Sequence, residues 1–230
     1  MKKILKQAIY NADKTECLEI GYFKNEDGQI QIEPFPETIK KVPKVLPKQI
    51  TSLEEAFNHN ENEFIDGIEH WNTSNVIDMH SMFQNAQNFN QDISKWDTSN
   101  VIDMYSMFEK AENFNQPIGK WNTSNVTDMR GMFYGATSFN QDLSKWDVSN
   151  VKNMSYMFYI AKNFNQDISK WDVSKVKTME GMFAWAENFN QDLSKWDVSN
   201  VKNMNGMFYN ATSFDKEKHW NKSLSKSRTR

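Results

Sequence analysis

Tryptophan recurs in this chain with a fixed step: Trp71, Trp96, Trp121, Trp146, Trp171 and Trp196 stand 25 residues apart. Phenylalanine keeps the same step twice, at Phe83, Phe108, Phe133, Phe158, Phe183 and Phe208, and at Phe89, Phe114, Phe139, Phe164, Phe189 and Phe214. Twelve of the 13 methionines fill two more positions of this grid, starting from Met79 and Met82. A fixed period of roughly 20–50 residues marks a repeat architecture. A unit that short cannot bury its apolar side alone, so neighbouring units must cover one another. The Trp series and the Phe83–Phe208 series are therefore expected to form ladders in a shared core.

Each unit divides into two halves. In the first, Val76, Met79, Met82, Phe83 and Ala86 step by three, three, one and three. That spacing predicts a short helix over 75–86, with Asn75 as its N-cap and Asp78 in the first turn. The second half, Phe89 to Trp96, keeps one apolar position at Ile93, Ile118, Leu143, Ile168 and Leu193. It predicts a short strand over 92–95 and then a polar turn. The fold class expected is an α/β solenoid: a leucine-rich-repeat-like coil of short parallel strands and short helices, with an N-terminal β-hairpin cap.

The domain limits follow from the grid. Residues 1–49 form the cap, with hairpin arms at Leu18–Tyr22 and Gln29–Glu33 around Asp27-Gly28, and a connection marked by Pro34, Pro36, Pro43 and Pro47. Residues 50–70 form a degenerate first repeat. Six repeats occupy 71–219, the last one shortened, and a basic tail occupies 220–230.

The unit spanning 146–158, with Ala161 and the run from Phe164 to Trp171, carries a resemblance to a known family. It resembles the BspA-like leucine-rich-repeat surface proteins, in the 25-residue form abundant in mycoplasmas (the PARCEL repeat). Residues 15–70 resemble that family's N-terminal cap. The resemblance implies a protein attached to the cell surface and engaged in adhesion. It implies no catalytic residues.

Composition narrows the function classes. The 230 residues carry 27 Lys+Arg and 30 Asp+Glu, a net charge of −3, which does not suit a nucleic-acid binder. One Cys excludes a disulfide framework and any multi-cysteine zinc site. No stretch approaches the run of about 18 apolar residues that spans a membrane. Lys6, Gln7, Asn11 and Asp13 interrupt any signal-peptide core, so neither signal peptide nor lipobox is read, and a cytoplasmic location stands beside the surface one. His59, His70, His80 and His219 show no metal-ligand spacing, and no cofactor is expected. The Asp97-Thr-Ser-Asn100 turn and its copies are read as side-chain caps rather than calcium ligands.

The resulting expectation is a non-enzymatic scaffold that recognises a protein or a glycan. The candidate interaction row is the outward face of the strands: Asp92, Ser94, Asp142, Ser144, Asp167, Ser169, Asp192 and Ser194. Two other readings stand beside it. One is a purely structural spacer. The other is an enzyme whose site lies at the cap, where Cys17 converges with His59 or His70.

Overall fold

The structure is a computed structural model that describes residues 2–220. Its strands all lie in the N-terminal part. Strand β1 is Lys3–Lys6, β2 Ile9–Tyr10, β3 Cys17–Glu19, β4 Tyr22–Lys24 and β5 Ile30–Ile32. They form two small antiparallel sheets, one ordered β1-β4-β5 and one pairing β2 with β3. The hairpin around Gly28 joins β4 to β5, with Tyr22 opposite Ile32 and Lys24 opposite Ile30. Gly28 takes a φ of 82°, the left-handed region that the Asp27-Gly28 turn requires. The first arm therefore differs from the one expected: Cys17–Glu19 pairs with Ile9–Tyr10 instead.

The α/β class does not hold. Among the described residues the one α-helix is α1, Lys216–His219, and two single 3-10 turns occur at Ile68–His70 and Ile118–Lys120. No solenoid of parallel strands and helices is seen. Parallel pairing is limited to isolated one-residue bridges, such as Asp78 with Asp103 and Asp103 with Asp128. The segments expected as helix and strand are successions of turns.

The reason lies in the backbone. Ser81, Ser106, Gly131, Tyr156, Gly181 and Gly206, at one grid position, all have positive φ. So do Asn85, Lys110, Gly135, Ile160, Trp185 and Asn210, four residues later. Two left-handed residues per unit interrupt any helix, at roughly 1–2 kcal/mol each for residues other than glycine. Hydrogen bonds between units offset that cost. The N–H groups of Met79, Ser81, Phe83 and Asn85 donate to the carbonyls of Asp103, Tyr105, Met107 and Glu109 at 2.7–3.0 Å. The intervening N–H groups of Met82, Gln84 and Ala86 close tight turns onto Met79, Ser81 and Phe83. Alternate amides thus serve the next unit and the local turn. A helix would use every amide within itself.

This arrangement sends the same apolar residues inward as a helix would. Met79, Met82, Phe83, Ala86 and Phe89 are fully buried, as are their counterparts through the middle units. Phe83, Phe108, Phe133 and Phe158 stack with ring centroids 5.6–5.8 Å apart. Phe89, Phe114, Phe139 and Phe164 form a second column at 5.9–6.2 Å. The indole N–H of Trp121 donates to the carbonyl of Ile93, and that of Trp146 to the carbonyl of Ile118. The indoles of Trp96, Trp121, Trp146, Trp171 and Trp196 all donate to the carbonyl of the apolar residue 28 positions back.

The polar grid positions are structural too. The side-chain oxygen of Asn90 accepts from the Asn115 amide and from Gln116 Nε2, and Asn115 does the same for Asn140 and Gln141. Asn75 does not cap a helix; its Nδ2 donates to the Lys48 carbonyl, as that of Asn100 does to Ser74. The asparagine ladder ends where Asp215 replaces the asparagine. Its amide still donates to Asn190, but its carboxylate accepts from the Lys218 amide and starts α1. The tail read at 220–230 lies outside the described residues, apart from Trp220.

Candidate functional site

The residues of the expected interaction row lie in turns rather than on a strand. Asp92, Asp142, Asp167 and Asp192 are exposed, while Ser94, Ser144, Ser169 and Ser194 are half-buried. Each aspartate folds back onto the serine two residues on: Ser94 N–H donates to Asp92 Oδ1 at 2.9 Å, and Ser144 N–H to Asp142 Oδ1 at 2.8 Å. The same bonds join Ser169 to Asp167 and Ser194 to Asp192. Hydrogen bonds from these serines, through hydroxyl and amide, hold all four carboxyls below their usual range. The row is acidic but broken at Pro117, and its carboxylates are already engaged in shaping their turns.

The edge of the turns that carries the left-handed residues differs in character. Here the units diverge in sequence: the series His80, Tyr105, Arg130, Ser155, Glu180 and Asn205 shares no side chain. Neither does the series Gln84, Glu109, Tyr134, Tyr159, Ala184 and Tyr209, apart from tyrosine. Five of the seven tyrosines lie on this edge, so aromatic surface is concentrated where the repeat is least constrained. Tyr105, Ser106, Glu109, Arg130, Gly131, Tyr134, Tyr156 and Tyr159 line a cleft of about 430 Å³. Tyr134 stacks on Tyr159 with centroids 4.7 Å apart, and Tyr156 meets Tyr159 edge-on at 5.8 Å. The Arg130 guanidinium lies 4.3 Å over the Tyr105 ring and 3.3 Å from Asp128. Burial, then the neighbouring Tyr159 and Glu109, raises the pKa of Tyr134. A hydrogen bond to Glu180 raises that of Tyr156. Both phenols are thus neutral donors at physiological pH.

Next to this cleft, Asp78, His80 and Asp103 place three possible ligand atoms within 4.8 Å of one another. Burial raises the pKa of both carboxyls, and each already accepts a turn amide, from His80 and from Tyr105. Three donors are about half of what a calcium ion takes. Sequence spacing missed the cluster because two of its members are a full repeat apart. A larger polar cleft of about 560 Å³ is lined by Glu61, Asn62, Glu63, Asn88, Asn90 and Asn113, without an aromatic side.

Cys17, His59 and His70, the residues of the enzyme reading, each have a partner of their own. Cys17 is buried and its thiol points at the Glu19 carbonyl. Burial pushes that thiol up to about 12, which leaves essentially no thiolate at neutral pH. His59 pairs with the Asn85 amide, and His70 lies 3.5 Å from Glu69.

Sequence reasoning singled out the fixed Asp/Ser positions and passed over the tyrosines, because it weighted what repeats. The signal for the cleft was the opposite one: aromatic residues at positions where the units disagree. Among the described residues no helix is long and apolar enough to cross a membrane.

No curated protein matches the chain. The profile of a family described as "Mycoplasma protein of unknown function, DUF285" matches residues 51–161 and again 141–229. That match supports a mycoplasma-type repeat without singling out the BspA-like leucine-rich form. Since its two segments together cover most of the sequence, the chain belongs to this Mycoplasma repeat family.

Proposed function

We propose that the protein is a non-enzymatic scaffold for recognising another protein or a glycan, acting through the edge that carries the tyrosines. The observation behind this reading is the cleft where Tyr105, Tyr134, Tyr156 and Tyr159 surround Gly131 beside Arg130. Tyrosine and arginine are the residues that most often anchor interfaces, because they offer large contact area with a polar end. The fixed positions are occupied by core and by inter-unit bonds, so the variable edge is where partner contacts change without loss of fold. The resemblance to surface-attached adhesion proteins supports a role at the cell surface.

The acidic row is a second reading, favoured by the exposure of Asp92, Asp142, Asp167 and Asp192. One experiment separates the two. The purified chain is passed over immobilised fibronectin, collagen and laminin and over a glycan array. The Tyr134→Ala/Tyr159→Ala variant and the Asp142→Lys/Asp167→Lys/Asp192→Lys variant are run beside it. Binding that is lost in the tyrosine variant and kept in the aspartate variant supports the tyrosine edge. The converse pattern assigns recognition to the acidic row. No binding on any surface leaves the spacer as the reading.

A further inference from the structure

Two equivalent places in the repeat differ in what lies over a glycine. At the first, the Tyr156 ring lies over Gly181: a Cβ on that glycine would sit 2.6 Å from Tyr156 Cε1 and 2.7 Å from Cδ1. Two units earlier, the counterparts of Tyr156 and Gly181 are Ser106 and Gly131. There the nearest atom to the same Cβ position is the Ser106 hydroxyl, at 3.1 Å. Where the first site holds a phenol ring, the second holds the smaller serine hydroxyl, and both Ser106 and Gly131 line the cleft described above. The backbone is the same at both: φ is 52° at Ser106 and 59° at Tyr156, 61° at Gly131 and 57° at Gly181.

The neighbours of the ring position differ between the two places: Tyr134 stands where the other has Ala184. Beside Gly181 stands Glu180, and its counterpart beside Gly131 is Arg130. A carboxylate accepts from a phenol, whereas a guanidinium donates to it.

We propose that the cleft beside Gly131 binds a tyrosine side chain presented by a partner polypeptide, its ring taking over Gly131 the place that Tyr156 takes over Gly181 and its hydroxyl oxygen accepting from Arg130. This rests on the reading of the tyrosine edge as a recognition surface. The ring meets a glycine floor with Tyr134 and Tyr159 beside it, a wall that favours offset and edge-to-face aromatic contacts. Gly131 is what admits it, since any side chain there would enter the ring's space.

The test is an NMR titration of the ¹⁵N-labelled full chain with N-acetyl-L-tyrosinamide. N-acetyl-L-phenylalaninamide and methyl β-D-galactopyranoside are run in parallel. The expected result is saturable shifts of the Ser106, Arg130 and Gly131 amides with tyrosinamide. Phenylalaninamide should bind about tenfold more weakly, for want of the hydrogen bond to a charged donor. Ser106→Tyr should remove the shifts, because it recreates the Tyr156–Gly181 contact and fills the cleft from within. Amide shifts away from the cleft that match the unmodified chain show that this variant is folded. Arg130→Ala should erase the preference for tyrosine over phenylalanine.

Absence of shifts at these three amides, or undiminished binding by a folded Ser106→Tyr chain, overturns the proposal. Tighter binding of the galactoside than of tyrosinamide also overturns it and points to a glycan site. If the tyrosine site fails while the chain still binds an immobilised protein or glycan through Tyr134 and Tyr159, the scaffold reading survives and the ring site alone is refuted.

Discussion

Phe133 shows what a single residue does in this molecule. Its ring stacks on Phe108 at 5.8 Å, on Phe158 at 5.6 Å and on Phe139 at 4.1 Å, and it has no exposed surface. Removing it opens a cavity that neighbours held by backbone bonds on both sides have little freedom to close. Phe133→Ala should therefore cost about 3–5 kcal/mol in chemical denaturation. A loss below about 1 kcal/mol would show that the column is not tightly packed. The turn aspartates act through protonation. Asp92, Asp97, Asp142, Asp167, Asp172, Asp192 and Asp197 all have pKa values lowered by hydrogen bonds from the serine two residues on. A group with a depressed folded-state pKa stabilises above its unfolded value, about 3.9, and loses that contribution as pH falls through the folded one. Glu54, Asp78 and Asp103 run the other way: burial raises their pKa values, so acid relieves a cost there. The seven outnumber the three, and stability should fall on acidification. The Asp142→Asn/Asp167→Asn/Asp192→Asn variant keeps the acceptor oxygen but cannot titrate. Its melting temperature should drop less than that of the unmodified chain between pH about 5 and about 3. Equal drops would mean that these carboxyls titrate alike in the folded and unfolded chain.

At the scale of the element, the chain uses a helical spacing without a helix. Lys110 is exposed and has a φ of 56°. In a helix, glycine at such a position is about 1 kcal/mol worse than alanine. In the left-handed region the order reverses, since only glycine adopts it without strain. Lys110→Gly should thus melt no lower than Lys110→Ala, and a clearly lower melting point for the glycine variant would restore the helix. Gly119 makes a related point. A Cβ there would run into the Asp142 carbonyl, so Gly119→Ala should be destabilising although the site follows Pro117 in a surface turn. The period, the ladders of Trp71–Trp196 and Phe83–Phe208 and the turn-capping aspartates were legible in the sequence, because each rests on composition at a fixed step. The secondary structure was not. Val76, Met79, Met82 and Phe83 point inward from a chain of turns as they would from a helix, so apolar spacing does not separate the two. The deciding feature, positive φ at the Ser81 and Asn85 positions, shows in the sequence only as Gly131, Gly135, Gly181 and Gly206 with Asn85 and Asn210, interspersed with residues that carry no such preference. The tyrosine cleft was illegible for another reason: its members come from three units, and no local pattern links Tyr105 to Tyr156.

Across the whole molecule, each unit is held mainly by its neighbours. Apart from tight turns, the backbone bonds of Met129, Gly131, Phe133 and Gly135 run to the carbonyls of Asn153, Ser155, Met157 and Tyr159 in the following unit. The columns of rings cross the same boundaries. A division of labour follows: inward residues and alternate amides fix the structure, and the remaining edge is free to carry Tyr105, Arg130, Tyr134 and Tyr159. That division depends on the direction of the Phe133 amide bond. Scalar coupling through hydrogen bonds, between amide nitrogen and carbonyl carbon, reads that direction directly in the labelled protein. The account predicts a coupling from the Phe133 nitrogen to the Met157 carbonyl carbon, 24 residues ahead, matching the 2.9 Å bond. A coupling to the Met129 carbonyl instead, four residues back, would place Phe133 in a helix and contradict it.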